Sequence, residues 1–181
     1  MASTRYTVRK GQPEDCKHIV RLLKEHATSA ISNTEEDLQN DSFGDEPLYH
    51  FFVVEAMNDG TDAKENAAAE IVGFSAYFFS YSAWTGRMID MDELYVQDSH
   101  RGKGLGKALM AKVAKVGVEN KCIGMDWILG GSNKSAWPFY NHLKSIDMSA
   151  HFGWRFMTVS GENFAQLVNS EIKPGLNIQF Q

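Results

Sequence analysis

The apolar positions change period along the chain, and each change marks an element. Tyr6-Thr7-Val8-Arg9 alternates apolar and polar side chains, as a half-buried strand does. Gly11-Gln12-Pro13-Glu14-Asp15 then breaks the alternation with turn residues, a proline and acids suited to a first helical turn. Cys16, Ile19, Val20 and Leu23 recur at helical spacing, which predicts a helix with that stripe on the core and Lys17, Arg21 and Lys24 in solvent. A polar connector runs from Ala27 to Asn33. Thr34-Glu35-Glu36-Asp37 then has the form of a capping box, the threonine hydroxyl and the later acid serving the free amides of a second short helix. Tyr49 to Ala56, Glu70 to Tyr81 and Arg87 to Val96 are rich in aromatic and branched residues and read as strands. Asn58 to Ala67, with Gly60 and several charges, reads as an exposed hairpin loop.

At Arg101 the period changes again. A glycine-rich turn leads into Leu105, Leu109, Val113 and Val116, an amphipathic helix. Cys122 to Leu129 is expected to be a buried strand, Ser135 to Lys144 a shorter helix, Trp154 to Val159 a late strand and Gly161 to Val168 a last helical segment. Glu171 to Gln181, with Pro174 and Gly175, reads as a loose tail. Strands in series, then helix, strand, helix and strand, predict an α/β fold in which helices flank a mixed sheet.

Composition narrows the class of function. The 181 residues, 43% hydrophobic and 23% charged, are those of an ordinary globular protein of one domain. The net charge is -5 and the lysines and arginines are scattered, which argues against nucleic acid as a partner and suits a cationic substrate. Met1 to Tyr6 lacks the apolar core of a secretory signal, and no run is long enough to span a bilayer, so no membrane association is expected. The two cysteines, Cys16 and Cys122, suggest no disulfide framework, and a reducing, cytoplasmic location is the expectation. Cys122, in an apolar run without a neighbouring base, reads as a core residue and not a nucleophile. The six histidines show no ligand spacing, so no metal is expected.

The chemistry concentrates at Met91-Asp92-Glu93-Leu94-Tyr95-Val96 and the glycine-rich run that follows. A strand running into glycines at a helix start leaves amides unpaired, and together with the helix dipole these attract a phosphate. No Gly-Lys-Ser/Thr ends the run, so it is not a P-loop, and from spacing alone it could equally be a plain turn. Arg101-Gly102-Lys103-Gly104-Leu105-Gly106, however, resembles the Arg/Gln-x-x-Gly-x-Gly/Ala pyrophosphate signature of the GNAT N-acetyltransferases. Phe43-Gly44, Pro47, Tyr49-His50, Ile71-Val72-Gly73-Phe74, Trp84, Asn133, Phe139-Tyr140 and Gly153-Trp154-Arg155 resemble one branch, the diamine (spermidine/spermine) and thialysine acetyltransferases.

That resemblance implies a single GNAT-type domain over residues 5–170 with a tail at 171–181, and a mixed, mostly antiparallel, splayed sheet. It also implies acetyl-CoA as co-substrate, a small-molecule amine as acceptor and a homodimer. Carried onto this sequence, it has Leu94, Tyr95 and Val96 offering backbone groups to the pantetheine arm. Arg101, Gly102, Lys103, Gly104, Leu105, Gly106 and Lys107 would hold the pyrophosphate, and Asn133, Lys134, Ser135 and Ala136 would flank the coenzyme. Tyr140 would protonate the departing thiolate. Asp92, Glu93, Trp84, Asp126, Trp127, Ile128 and Trp154 would surround the amine.

An alkyl ammonium with a pKa of about 10.4 cannot attack a thioester at neutral pH, so a base is required. Asp92 and Glu93 are the candidates. Strand alternation sends them to opposite faces, so only one reaches the cleft unless a bulge intervenes, and the resemblance favours Asp92. An amide near Leu94 or Tyr95 is the expected oxyanion donor. The chain departs from polyamine-acetylating relatives where Thr28-Ser29-Ala30-Ile31-Ser32, Ser82 and Phe152 replace acids, which favours thialysine, lysine or a monoamine over a long polycation. Asn141-His142-Leu143-Lys144 also replaces a basic, glycine-ended run. The alternatives are an acetyltransferase of protein or peptide amines and a non-catalytic acyl-CoA-binding module.

Overall fold

In the computed structural model, which describes residues 3–27, 30–59 and 69–167, the alternating segments pair into one five-stranded sheet in the order β1-β2-β3-β4-β5. The strands are β1 (Ser3–Lys10), β2 (His50–Asp59), β3 (Glu70–Ser82), β4 (Gly86–Val96) and β5 (Gly124–Asp126). The first four run antiparallel to their neighbours, and β5 lies parallel to β4. The β4 to β5 ladder covers only Met88 to Asp90, so beyond Asp90 the two strands part and the sheet splays. The chain divides into two compact units, Met1–Leu129 and Gly130–Gln181.

Within the first unit, α1 (Cys16–His26) and α2 (Glu35–Phe43) bury Cys16, Ile19, Leu22 and Leu38 against Phe51, Val53, Phe74 and Ala76 of β2 and β3. Helix α3 (Leu105–Glu119) buries Leu109, Met110 and Val113 and sets Gly117 against Ile89, whose neighbours Asp90 and Met88 point to the other face of the sheet. With helices on both faces, β3 is continuously buried from Ile71 to Tyr77, which is why its sequence does not alternate there. Pro13–Asp15 forms a short 3₁₀ helix at the entry to α1. Arg9 fixes that entry: its guanidinium meets Asp15 through two hydrogen bonds of 2.6 and 2.9 Å and Glu55 through a third of 2.7 Å. The capping box of α2 is present as read, with the Asp37 amide donating to Thr34 Oγ1 at 3.1 Å and the Thr34 amide to Asp37 Oδ2.

Four expectations need correction. The segment 122–129 is a strand over three residues only, because a single neighbour, β4, pairs with it there. Cys122 accordingly precedes β5 and is half-buried, whereas Cys16 is the true core thiol, pushed up to about 11 chiefly by burial and then by Asp15. The second unit holds α4 (Trp137–Asn141), shorter than the expected 135–144, then α5 (Met148–Phe152) and α6 (Gly161–Gln166). Residues 154–159 form no strand, since alternation supplies a face but a strand exists only where another backbone pairs with it. Helix α5 escaped the sequence reading. Its signals are local ones, Asp147 accepting from the amides of Ser149 and Ala150, and Gly153 closing the helix at φ 71°. The loop expected over 58–67 lies outside the described residues from 60 onward, as do Val168 and the tail.

Candidate active site

One irregularity in β4 creates the cleft. Ala76 pairs with Glu93 and the next residue, Tyr77, with Met91, so Asp92 is an extra residue in the ladder. A bulge of this kind cancels the alternation locally and lets consecutive side chains fall on one side. Asp92 and Glu93 therefore both line one cleft of ≈ 460 Å³, together with Leu23, Leu38, Tyr49, Phe78 and Phe79. The condition under which both acids reach the cleft is met.

The two carboxylates have different surroundings. Tyr49 Oη donates to Asp92 Oδ2 at 2.7 Å. Burial, and then the charge of Asp92, raise the Tyr49 phenol far above its ordinary value, so it stays a donor throughout the physiological range. Glu93 is pushed up to about 7, first by burial and then by repulsion from Asp92. Its Oε2 lies 3.6 Å from His26 Nε2, and the His26 ring leans on Tyr95 with centroids 4.9 Å apart. Burial, and then Arg101, hold His26 below its ordinary value.

The glycine-rich turn lies at the far end of β4. A 3₁₀ turn over Asp98–His100 leads to Gly102 at φ 74° and Gly104 at φ 82°, and α3 begins at Leu105. The first bond that closes the helix runs from the Ala108 amide to Gly104 O, so the amides of Leu105, Gly106 and Lys107 have no acceptor within it. No atom lies within 4 Å of where a Cβ would stand on Gly102 or Gly104, which leaves their face open. Arg101 frames the turn: its Nε donates to Val96 O at 2.8 Å, its NH1 pairs with Asp98 at 2.8 Å, and its guanidinium lies over the Tyr95 ring. Lys103 Nζ donates to Tyr6 Oη and Ser99 O. Upstream, β4 from Met91 to Val96 carries no further ladder to β5 among the described residues, so the edge beside Leu94 and Tyr95 has no strand partner, while Val96 O is taken by Arg101. Free amides at a helix start and an unpaired strand edge fit a pyrophosphate and an extended amide-bearing arm.

Other expected residues fall elsewhere. Trp84 stands in the turn between β3 and β4, 80% exposed, and does not line the cleft. Asp126 pairs with Asp90 across the β4 to β5 ladder, and its carboxyl is raised by burial and then by Asp90, which accepts from the Ser80 hydroxyl. Trp127 and Ile128 follow on the chain. In the second unit, Asn133 to Ala136 form the turn before α4, with Ser135 Oγ donating to Asn133 Oδ1 at 2.9 Å. Tyr140 is on α4 with its ring edge-on to Phe139, and Trp154 follows α5 with its ring against Phe152. Tyr49, Phe78, Phe79 and His26 were not among the expected site residues. Their only sequence signals were a resemblance at Tyr49 and an aromatic strand that also reads as core. Among the described residues no group of three His, Cys, Asp or Glu side chains is placed to hold a metal, and no helix is long and apolar enough to cross a membrane.

Residues 16–144 match the family model described as Acetyltransferase (GNAT) family, a span that contains the bulged strand, the glycine turn and α4. The chain belongs to the GNAT acetyltransferase family. It is a GNAT N-acetyltransferase, and members of this family use acetyl-CoA, which the open glycine turn and strand edge suit. Thialysine N-epsilon-acetyltransferase of Bos taurus is 32% identical over 165 residues, 88% of this chain and 95% of that one. Spermidine/spermine N(1)-acetyltransferase-like protein 1 of Homo sapiens is 26% identical over 171 residues, 92% of this chain but 24% of the longer human protein. Among solved structures, an integron cassette protein from the mobile metagenome of V. cholerae superposes with a TM-score of 0.65 at 20% identity, covering 91% of this chain and 98% of that one. This last likeness is one of GNAT fold.

Proposed function

We propose that this GNAT enzyme transfers an acetyl group from acetyl-CoA to the primary amine of a short cationic small molecule, with Glu93 as the base. The observation that carries the reading is the bulge that brings Asp92 and Glu93 into one cleft with unlike environments. Asp92, fixed by the Tyr49 hydroxyl, is the partner for the incoming ammonium. Glu93, poised near neutrality, accepts its proton, because a base is most effective when its pKa lies near the working pH. The family resemblance favours Asp92 for that step; the more buried setting of Glu93 supports assigning it to Glu93 instead. Acetyl-CoA supplies the thioester carbonyl when bound; the amides of Leu105, Gly106 and Lys107 and the edge at Leu94 and Tyr95 would orient it. Tyr140 is assigned the protonation of the thiolate on its family resemblance.

A lysine-like amine fits best. The bovine relative is named for thialysine and the human one for spermidine and spermine. The cleft is lined by three acids, Asp41, Asp92 and Glu93, with Phe78, Phe79 and Leu23, which suits a short cationic amine with an apolar stem. The acids missing at Ser82 and Phe152 weigh against a long polycation, which needs several spaced carboxylates. The test is free-thiol release from acetyl-CoA with purified protein and a panel of thialysine, lysine, putrescine, spermidine, spermine, propylamine and a lysine peptide. Turnover highest with thialysine or another short amine supports the reading. Preference for spermine or for the peptide overturns the amine class, and silence across the panel overturns the catalytic reading.

A further inference from the structure

His26 is the last residue of α1, and its imidazole has two sides. One nitrogen faces Glu93, with Nε2 and Oε2 3.6 Å apart, while the side chain as a whole is 38% exposed to solvent. Tyr95 holds the ring from beneath at a centroid distance of 4.9 Å. Two other acids, Asp41 and Asp92, line the cleft; Asp92 accepts from the Tyr49 hydroxyl, whose proton is held too tightly to be handed on.

Resting on the assignment of Glu93 as base, we propose that His26 is the proton exit of the site, a positioning residue that acts through Glu93. The amine gives up a proton as its N–H bond breaks and an O–H bond forms on Glu93. That O–H bond breaks as an N–H bond forms on Nε2 of a His26 whose Nδ1 already carries hydrogen. The imidazolium then releases a proton to water or buffer, and both side chains return to their starting states. An amine seated in the cleft covers the face of Glu93 that opens there, whereas His26 still reaches solvent on its other side. The 3.6 Å separation needs about 0.6 Å of side-chain rotation, or one bridging water, to reach hydrogen-bond distance. Burial and then Arg101 hold the imidazole below its ordinary value, so it is neutral before the hand-over and gives the proton up readily to solvent after it. The charged and titratable groups around the pair are Asp92 and Tyr49 on the Glu93 side and Tyr95 and Arg101 on the His26 side. Glu25, Arg21 and Asp98 surround Tyr95.

The test compares wild type with His26→Phe, which keeps a ring on Tyr95 but no nitrogen, and His26→Gln, which keeps polarity but carries no proton. Turnover with acetyl-CoA and the most active amine of the panel is measured in dilute buffer, with and without added imidazole. The expected result is a kcat about tenfold lower in both variants, with the amine KM within about twofold, and recovery that rises with imidazole concentration while wild type does not respond. Unchanged melting temperatures and acetyl-CoA KM values verify that both variants are folded. A wild-type kcat in His26→Phe, or a deficit that imidazole does not repair, overturns the proposal and leaves Glu93 as base untouched. A wild type silent on every amine removes the function itself, and this proposal with it.

Discussion

Two acids adjacent in sequence meet different neighbours, and the proposed function gives them different work. Glu93→Gln removes the base while keeping its shape, so kcat/KM should fall by about 10² or more and the limb of the pH profile rising through about 7 should vanish. The same residue makes a stability prediction. Its pKa in the folded protein, about 7, lies above its ordinary 4.5, so the fold holds a proton that the unfolded chain releases, and stability falls as pH rises between the two values. Glu93→Gln should therefore melt higher than wild type at pH 8, and the difference should shrink towards pH 5. Tyr49→Phe deletes the donor to Asp92, and a hydrogen bond to a charged group of about 1.5 kcal/mol predicts an amine KM raised about tenfold, with the position of the pH limb unchanged.

At the scale of elements, the glycine turn before α3 was legible and the acid cleft was not. Gly104 stands at φ 82° immediately before α3, a conformation that costs any other L-residue about 1–2 kcal/mol. Gly104→Ala should lower the melting temperature and raise the acetyl-CoA KM several-fold while leaving the amine KM in place, measured by steady-state kinetics at saturating amine. Such a turn reveals itself in sequence because glycine spacing and the helix that follows are separated by a few residues. The bulge at Asp92 does not, since it is a mismatch in register between β3 and β4, and neither strand alone carries it. For the same reason 154–159 has the composition of a strand without forming one.

Across the first unit, Arg9 ties β1 to the entry of α1 and to β2 through Asp15 and Glu55. Burial would raise the Asp15 carboxyl, but the hydrogen bonds from Arg9 and the Gln12 amide outweigh it and hold the pKa below the ordinary 3.8. A depressed carboxylate contributes stability that is fully present above its unfolded pKa and is lost as pH falls through the folded one. Asp15→Ala removes one of the two carboxylate partners of Arg9 and leaves Glu55, so it should cost about 2 kcal/mol at pH 7, with a smaller penalty at pH 3, as followed by urea unfolding at the two pH values.

What the sequence determined by itself is what depends on near neighbours. The Thr34 and Asp37 cap, Pro13 at the start of its turn, the stripe of α1 and α3, and the glycines before Leu105 are each decided by residues within one or two turns of chain. The tertiary structure alone decided which face each acid takes and what meets it. Tyr49, just before β2, reaches Asp92, and His26, at the end of α1, reaches Glu93, only because the fold brings these distant segments up to β4 and one extra residue in β4 turns both carboxylates to the same side. Glu93 has an ordinary carboxyl in the sequence and one pushed up to about 7 in the fold, because burial and the charge beside it are properties of a place and not of a residue type.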